Sequence, residues 1–549
     1  MDWLERNLER RTNLPQIIAE RAQATPDEVM AYQIDGPEWT YARFHQRVLD
    51  WAAALRRQGV KAGDHVLTFT EAHFDAYALW LGLAWLGAVE VPINPAYRGG
   101  ILAHAIRMSD AKLAILSPTF LPRVREVFAE APIIRTVMLL GEEPVEAADD
   151  AFHIVREADA FADLPALDPA TLVEPQPHHI ACIIFTSGTT GPSKAVLVPW
   201  GQLIASAYLG RADKDNDDAF NMHAGSVFYG FFPAFHMSGR YALTNAVARA
   251  AKLAWRPVFS VEAFWTDVDK YRCTHALLLT PFMSFLMRKP AREDDPDHPL
   301  HAVVGGPAGP ILDEFMARFG VRVRMGFGMT EIGGPLGTPW MDVARQSCGT
   351  VPVGAPGYEI RLVDEFDNPV PDGEPGELIV RTDEPWSLNA GYYKMPEETA
   401  KAWRNGWFHT GDMLRRDERG EYHFVDRAKD CIRRLGENIS SFEVENYVVQ
   451  NPMVREVAAV AYPSDYGNGE DEVKIFVVPK PDATPDAQAL WTDLAARMPK
   501  FMTPRFIEFI EALPRTEATE RIQKAKLKSL TNTEKTWDAR KQEKAKEPA

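Results

Sequence analysis

The chain has 549 residues, more than a single hydrophobic core supports, so two or more domains are expected. Its hydrophobic share of 46% and charged share of 25% are those of an ordinary soluble globular protein. The formal net charge of −17 argues against an electrostatic partnership with nucleic acid, because binding to phosphate backbones needs clustered lysines and arginines.

Cysteine usage and the first residues together predict a reducing, cytoplasmic location. No CxxC pair occurs, so the thiols are interpreted as small buried groups and not as a disulfide framework or a zinc site. The cysteines are Cys182, Cys273, Cys348 and Cys431. The opening segment MDWLERNLERRTNL carries charges throughout and lacks the apolar core of a signal peptide.

The first part of the chain alternates helical and strand patterns. LDWAAALRRQGV (49–60) has the helical period, and DHVLTF after it predicts a strand. The uncharged segment AYALWLGLAWLGAV (76–89) is too short to span a bilayer, so a buried core helix is predicted there. The alternation continues through VEVPI, LAHAIRMSD, AKLAILS, VREVFAEA and RTVMLL. Such alternation predicts an α/β fold with layered, largely parallel sheets.

The pattern changes near Tyr358. The short alternating runs YEIRLVD, ELIVR and EYHFVD, separated by turns such as PDGEPG, predict a β-rich subdomain over residues 345–428. Residues 429–530 then show an α+β pattern of the size of one small domain. The charged segment 531–549 is predicted to be a disordered tail. The expected organisation is a large N-terminal α/β domain (1–428) followed by a small C-terminal domain (429–530).

One stretch, FTSGTTGPSKAV (185–196), places five Thr or Ser hydroxyls and two glycines between an apolar strand and Lys194. Free backbone N–H groups in such a run form an anion nest, so the stretch predicts a phosphate site. A Walker loop is excluded, because Lys194 is followed by Ala195 and not by Ser or Thr. A polar surface turn would explain the composition, but neither the preceding strand nor the lysine.

The stretch resembles the phosphate loop of the adenylate-forming superfamily, which includes acyl-CoA synthetases, peptide-synthetase adenylation domains and firefly luciferase. Further motifs of that superfamily follow in order over nearly the whole chain: GFGMTE (326–331), GYYKMPEET (391–399), GWFHTGD (406–412), VDRAKD (425–430) and PRTEATERIQK (514–524). The resemblance implies a small, mobile α+β C-terminal domain. It also implies a reaction in which a carboxylic acid attacks the α-phosphate of ATP, with Mg²⁺, to give an acyl-adenylate and pyrophosphate.

The same resemblance implies roles for individual residues. The leaving phosphates would be held by Thr186, Ser187, Gly188, Thr189, Thr190, Gly191 and Lys194. Glu331 and Thr189 would hold Mg²⁺, and Thr330 would contact the α-phosphate. The adenosine would be bound by Phe327, Gly328, Gly305, Gly306, Pro307, Asp412 and Arg427. Taken alone, Phe327 could be a core residue, Asp412 the end of a turn, and Glu331 a solvated loop carboxylate.

The resemblance also covers the acyl site and the second half-reaction. His236, in FFPAFHMSG, lies where relatives place an aromatic residue or a histidine beside the acyl carboxylate; a satisfied core histidine is the alternative. Amino-acid-activating relatives carry an aspartate next to the phenylalanine there, so Phe235 followed by His236 argues against an α-amino acid. Lys429 would be the hinge, and Gly436 would let the pantetheine arm of CoA pass; an ordinary turn glycine is the alternative.

The last motif departs from the family pattern. ATERIQKAKLK has Glu520-Arg521 where relatives carry Gly-Lys, and that lysine bridges the acyl carboxylate and the α-phosphate. Arg521 keeps the positive charge, but its planar fork differs from an ammonium group. Three outcomes follow: Arg521 acts, Lys524 or Lys526 takes over, or adenylation is weak. Arg521 is the preferred catalytic residue.

The predicted function is an AMP-forming acyl-CoA ligase. The alternatives are an adenylating enzyme that loads a carrier protein and a non-catalytic nucleotide-binding homologue. Phe228, Tyr229, Phe231 and Phe232 suit a hydrophobic or aryl-substituted acid, or are core packing. PINPAYRGGILAHAI resembles the carnitine and crotonobetaine ligase branch, but no cluster of acids accompanies it to hold a quaternary ammonium. Expected partners are the small-molecule acid, ATP and CoA, with no nucleic acid, no membrane insertion, and a homodimer on family grounds alone.

Overall fold

The computed structural model describes residues 13–146, 151–186, 193–208, 220–306, 311–340, 347–351, 357–427, 431–435, 437–465, 470–514, 522 and 524–544. The chain forms two compact units. Unit 1 comprises residues 1–95, 105–185 and 195–426, and unit 2 comprises residues 96–104, 186–194 and 427–549. Each helix among these described residues is too short or too polar to cross a membrane.

The strands, in chain order, are β1 (Val29–Gln33), β2 (Glu38–Thr40), β3 (His65–Phe69), β4 (Val89–Pro92), β5 (Leu113–Leu116), β6 (Thr136–Leu139), β7 (His153–Arg156), β8 (Ile180–Thr186), β9 (Lys194–Pro199), β10 (Val227–Gly230), β11 (Lys252–Trp255), β12 (His275–Leu279), β13 (Ala302–Gly306), β14 (Arg322–Met329), β15 (Gly333–Gly337), β16 (Tyr358–Val363), β17 (Gly376–Thr382), β18 (Phe408–Arg416), β19 (Tyr422–Arg427), β20 (Cys431–Arg434), β21 (Glu437–Ser440), β22 (Val454–Pro463), β23 (Asp471–Pro479), β24 (Phe506–Phe509) and β25 (Trp537–Asp538).

The helices, in chain order, are α1 (Leu14–Ala24), α2 (Tyr41–Arg57), α3 (Asp75–Trp85), α4 (Gly99–Ser109), α5 (Leu121–Val127), α6 (Glu157–Phe161), α7 (Trp200–Tyr208), α8 (Met237–Ala248), α9 (Phe264–Lys270), α10 (Thr280–Met287), α11 (Ile311–Phe319), α12 (Pro396–Ala402), α13 (Ser441–Val449), α14 (Ala487–Arg497), α15 (Lys524–Lys528) and α16 (Ala539–Lys544).

The described residues of unit 1 form three sheets. The first has the strand order β15-β14-β13-β12-β10-β11-β1-β2 and is parallel except at its two edges. The second has the order β7-β6-β5-β3-β4-β8-β9, with parallel pairing from β7 to β8. The third, β16-β17-β18-β19, has antiparallel pairing from β16 to β18. Layered, largely parallel sheets are present as predicted.

The uncharged segment 76–89 forms a buried helix, as expected, but the helix is shorter than predicted. It runs from Asp75 to Trp85, and the residues from Ala76 to Ala84 are all buried. Gly87 adopts φ +68°, a left-handed conformation that suits glycine at a helix C-terminus. The helix therefore ends before Gly87, and Val89 begins β4.

Unit 2 contains the paired strands β20 and β21 and the sheet β22-β23-β24-β25. The structure differs here from the predicted disordered tail. Trp537 and Asp538 pair with β24, and Arg505 forms an ion pair with Asp538 at 3.2 Å. The prediction of disorder was based on amino-acid composition. Composition does not indicate whether a short strand will pair with the edge of a sheet.

A buried ion pair joins a helix of unit 1 to its second sheet. Arg240, on α8, donates to Glu90 of β4 at 2.6 Å, and both side chains are almost wholly shielded from solvent. The other carboxylate oxygen of Glu90 accepts from the Thr68 hydroxyl at 2.7 Å. The guanidinium also lies 4.2 Å from the centre of the Trp80 ring. Helix α8 is thereby fixed to β4 by a charged contact inside an otherwise apolar core.

We expect Arg240→Met to destabilise unit 1 by about 3–5 kcal/mol, because it leaves the Glu90 carboxylate buried without its counter-charge. Adding Glu90→Gln should restore most of the loss, since a neutral amide still accepts from Thr68. Urea unfolding followed by tryptophan fluorescence measures this, because every tryptophan except Trp491 and Trp537 belongs to unit 1.

Arg381→Met is the matched control, because Arg381 pairs with Glu359 on an exposed surface. That variant should cost less than about 1 kcal/mol. Equal losses for the two arginine variants would contradict a special contribution from the buried pair.

Candidate active site

Four neighbouring strands of the first sheet run parallel, so their carboxyl ends lie side by side along one edge of the sheet. These strands are β10, β12, β13 and β14. In open α/β sheets, ligands bind in the crevice at the carboxyl ends of the strands. His236 follows β10, Gly305 and Gly306 end β13, and the GFGMTE segment ends β14. The structure thus brings these sequence-predicted residues to one edge of one sheet.

The GFGMTE segment forms the turn of a tight hairpin between β14 and β15. Phe327 pairs with Leu336 and Met329 with Gly333, so residues 330–332 make the turn. A Cβ at Gly328 would lie 2.3 Å from the Gly333 carbonyl oxygen, and Gly333 itself has φ +69°. Only glycine fits at Gly328, because the two backbones approach so closely there. Glycine is therefore favoured at both positions, by the close approach at Gly328 and by the left-handed backbone at Gly333.

Glu331 sits in this turn and is buried, with 4% of its surface exposed, whereas Thr330 beside it is half-buried. The Tyr392 hydroxyl donates to the Glu331 carboxylate at 3.4 Å. Burial raises the pKa of Tyr392, and the neighbouring Glu331 charge raises it further. The phenol therefore keeps its proton and acts as a donor to the carboxylate.

His236 is the N-cap residue of α8. Its Nδ1 accepts from the Ser238 backbone N–H at 3.3 Å, so in the neutral ring Nε2 carries the proton. A Cβ at Gly239 would lie 2.3 Å from the Pro233 carbonyl oxygen, so the first turn of α8 rests directly on that main chain. The histidine is half-buried and held as a hydrogen-bond donor at Nε2.

Asp412 lies on β18 at an irregularity in its pairing with β17. Gly411 before it has φ +73° and donates to the Glu377 carboxylate at 3.0 Å. Asp412 is 5% exposed. Burial, together with the Asp412 charge, raises the pKa of the nearby Cys348 thiol to about 11. A bulge of this kind turns one side chain away from the regular face of a sheet.

The structure adds an aromatic residue that sequence analysis missed. Phe424, on β19, is 45% exposed, and its ring lies 6.4 Å from that of Phe327 with 25° between the two planes. Two nearly parallel, partly exposed aromatic faces suit a flat ring system. The segment EYHFVD carried no clear signal for this role, because Phe424 shares its side of the strand alternation with Tyr422 and Asp426 and lies outside the motifs.

The aromatics proposed for the acyl pocket divide into two groups. Phe228, Tyr229 and Phe231 are buried in the core of unit 1, so for them the core-packing alternative holds. The Tyr229 hydroxyl donates to Asp267 at 3.2 Å. Phe232 remains half-buried and stacks on Phe231 at 4.5 Å.

Two predicted phosphate-loop residues lie within unit 2. Thr186 ends β8 and Lys194 begins β9. Next to Lys194, the backbone N–H and the hydroxyl of Ser193 both donate to the Glu443 carboxylate at 2.8 Å. Burial raises the pKa of Glu443, and these two hydrogen bonds oppose the rise. The end of the loop is thus joined to helix α13.

The remaining sequence-predicted residues fall outside the described part of the chain: Ser187, Gly188, Thr189, Thr190, Gly191, Pro307, Lys429, Gly436 and Arg521. For Arg427 only the backbone is described, as the last residue of β19. The cysteines were expected to be buried, and Cys182 and Cys273 are, whereas Cys348 is half-buried. These three cysteines form no disulfide bond.

Comparison with known protein families finds two matches, one over most of the chain and one near its C-terminus. The AMP-binding enzyme family matches residues 18–393, and the AMP-binding enzyme C-terminal domain matches residues 443–519. A crotonobetaine/carnitine–CoA ligase of Citrobacter koseri is 31% identical over 493 residues, covering 87% of this chain and 91% of that protein. The enzyme of the same name from Proteus mirabilis is 29% identical with the same coverage.

Solved structures share the fold. An amide bond synthetase from Marinactinospora thermotolerans superposes with a TM-score of 0.79 at 25% identity, covering 93% of this chain and 99% of that one. An o-succinylbenzoate CoA synthetase from Bacillus subtilis gives a TM-score of 0.79 at 20% identity, covering 95% and 99%. The predicted fold class, an α/β N-terminal domain with a separate C-terminal domain, is confirmed.

We expect Phe424→Ala to weaken nucleotide binding if its ring, with that of Phe327, contacts the adenine. Base–aromatic stacking is worth about 1–3 kcal/mol. The KM for ATP should therefore rise about 5- to 150-fold, with the KM for the acid unchanged. Steady-state kinetics measure both constants. Phe366→Ala removes a ring that is 75% exposed and serves as the control. An unchanged KM for ATP in Phe424→Ala would exclude this contact.

Proposed function

The chain belongs to the AMP-binding enzyme family and is an AMP-forming acyl-CoA ligase, and we propose that its acid is hydrophobic, with aryl-substituted acids among the candidates. In the first half-reaction a carboxylate oxygen attacks the α-phosphorus of ATP. The bond from that phosphorus to the β-bridging oxygen breaks, and pyrophosphate leaves with the electron pair. In the second, the CoA sulfur attacks the acyl carbon, AMP leaves with the carbon–oxygen electron pair, and the thiol proton passes to solvent.

The proposed roles rest on what each side chain offers. Glu331 is proposed to bind Mg²⁺, because a carboxylate is the oxygen ligand that this ion prefers. The bound ion would offset the charge that builds on the phosphate oxygens. Thr330 would contact the α-phosphate. His236 would donate from Nε2 toward the acyl carboxylate or its adenylate, in agreement with the tautomer that Ser238 fixes.

ATP and CoA are proposed as the co-substrates, and the aromatic faces of Phe327 and Phe424 suit the adenine. Asp412 and Arg427 are proposed for the ribose, and Gly305, Gly306, Pro307 and Gly328 for the base. The loop residues Thr186, Ser187, Gly188, Thr189, Thr190, Gly191 and Lys194 are proposed for the phosphates, with Thr189 as a second ligand of Mg²⁺. Lys429 as hinge and Gly436 as the pantetheine passage complete the proposal.

The observation that carries the choice of acid is an aromatic cluster at the carboxyl ends of β10 and β12. Phe232 follows β10, and Phe282 lies in α10, directly after β12; their ring centres are 6.0 Å apart. Phe259 lies 4.8 Å from Phe282. All three rings are half-buried, beside the segment that leads into His236. Their apolar surfaces suit a hydrophobic acyl group better than a charged one.

Arg521 is proposed to bridge the acyl carboxylate and the α-phosphate. The rival Lys524 has a structural task within unit 2: its ammonium lies 2.6 Å from Glu445 and donates to the Ser441 hydroxyl at 2.7 Å. Using Lys524 for catalysis would break both contacts. Lys526 is exposed and remains the other rival.

Buried free thiols at Cys182 and Cys273 support a reducing, cytoplasmic location. A homodimer is proposed on family grounds, and its test is the mass of the protein in solution. No nucleic-acid partner is proposed.

The function is tested by incubating the protein with ATP, Mg²⁺, CoA and a panel of acids. The panel holds benzoates, arylalkanoates, straight-chain acids, crotonobetaine and amino acids. We expect pyrophosphate, AMP and an acyl-CoA of the expected mass, most rapidly from the apolar acids. A preference for crotonobetaine would contradict the proposal that the acid is hydrophobic. Pyrophosphate without a thioester would favour carrier-protein loading, and ADP with orthophosphate would contradict the mechanism.

Arg521→Ala should slow acyl-adenylate formation about 100-fold or more, because a preorganised charge at the transition state is lost. Arg521→Lys should retain part of the rate, and Lys526→Ala should retain all of it. Pyrophosphate release before CoA is added measures this step. If instead Lys526→Ala shows the loss and Arg521→Ala does not, the assignment passes to that lysine.

A further inference from the structure

The turn that carries Thr330 and Glu331 is held by two side-chain amides from distant parts of unit 1. The Gln202 amide nitrogen donates to the Thr330 carbonyl oxygen at 2.7 Å. The Asn389 amide nitrogen donates to the Glu331 carbonyl oxygen at 2.9 Å, and the Asn389 backbone N–H donates to the same oxygen at 2.9 Å. Two successive carbonyls of the turn are therefore fixed from outside the hairpin.

The two amides are buried and well placed for this task. Gln202 is 1% exposed and lies in the first turn of α7, 128 residues from its partner. Asn389 is 4% exposed and lies in the segment between β17 and α12. Its side-chain oxygen accepts from the Gly391 backbone N–H at 2.8 Å and from the Trp403 indole at 3.2 Å. Because two donors hold that oxygen, the amide nitrogen must face Glu331.

Fixing these two carbonyls fixes Glu331 itself. Each peptide group is planar, so the Thr330 oxygen sets the plane before the Glu331 Cα and the Glu331 oxygen sets the plane after it. Two fixed planes determine φ and ψ of Glu331, and with them the direction in which its side chain leaves the backbone. The Tyr392 hydroxyl then orients the carboxylate at 3.4 Å. The carboxylate is placed by its neighbours rather than by the sheet.

We propose that Gln202 and Asn389 form an amide clamp that positions Glu331 for Mg²⁺; this inference rests on the proposed function. Both amides contact the backbone of the turn and not the Glu331 carboxylate, so we assign them as positioning residues. Partners that orient a metal ligand are typically worth about 10- to 100-fold in metal affinity or activity. The clamp acts in acyl-adenylate formation, the half-reaction that needs Mg²⁺.

The test compares Gln202→Met and Asn389→Asp with the wild type. Gln202→Met keeps the length of the side chain and removes its donor. Asn389→Asp keeps the acceptor for Gly391 and Trp403 but sets an oxygen against the Glu331 carbonyl. We expect the Mg²⁺ concentration for half-maximal pyrophosphate release to rise about 10- to 100-fold in both variants. Thioester formation from supplied acyl-AMP and CoA should be unchanged.

A direct binding measurement accompanies the kinetics. Binding of Mn²⁺ in the presence of a non-hydrolysable ATP analogue is followed by the paramagnetic signal of the ion. The affinity for Mn²⁺ should fall by a similar factor in both variants. Gln46→Met is the matched control, because Gln46 is an exposed glutamine on α2 that donates to Asp50. That variant should keep the wild-type metal requirement.

The outcomes separate the two claims. Equal loss in both half-reactions, or unchanged metal dependence in both variants, would overturn the clamp while leaving an active wild type as an acyl-CoA ligase. A wild type that releases no pyrophosphate with any acid would overturn the proposed function instead. If one variant does not fold, the other variant still tests the clamp, because the two amides donate hydrogen bonds to different carbonyl oxygens.

Discussion

Parallel strand pairing is the constraint on which the candidate site depends. Because β10, β12, β13 and β14 run in the same direction side by side, their carboxyl ends share one edge of the first sheet. Residues separated by about a hundred positions in sequence then follow neighbouring strands. The Arg240–Glu90 ion pair, by fixing α8 to the second sheet, also fixes where the residue that begins this helix, His236, is presented. The order and direction of the strands therefore bring the candidate site residues together, whatever chemistry those residues perform.

Local backbone requirements refine this placement. Glycine at 328 allows the β14–β15 hairpin to close to a distance that no side chain would tolerate, and Glu331 lies in the resulting turn. Side chains from α7 and from the segment after β17 donate to two successive carbonyls of this turn. Rigid support of this kind suits the metal-binding role proposed for Glu331, because a small displacement of a ligand lengthens its distance to the ion. On β18, the irregularity at Gly411 presents Asp412 by a similar local device.

Motif order and hydrophobic periodicity predicted the fold class, the family and the ligase activity. The absence of charge over residues 76–89 also located the buried helix α3, and the prediction erred by a few residues only where Gly87 ends the helix. Composition failed for residues 531–544, because a short strand that completes a sheet edge leaves little trace in residue usage. The aromatic stretch after Gly225 was ambiguous for a related reason: a phenylalanine has the same sequence signal whether it packs in a core, like Phe228, or stays half-buried beside a site, like Phe232.

The sequence by itself determined which groups the chain carries: the hydroxyls and glycines proposed for phosphates, the carboxylate proposed for a metal ion, and the aromatic rings proposed for a base. These depend on residue type and short spacing, which a chain carries locally. Only the tertiary structure decided which distant residues support them. Phe424 meets Phe327, and Gln202 and Asn389 meet the Thr330–Glu331 turn, through contacts between segments far apart in the chain. Such contacts are set by sheet order and helix packing, and no periodicity in a single sequence encodes which segments will become neighbours.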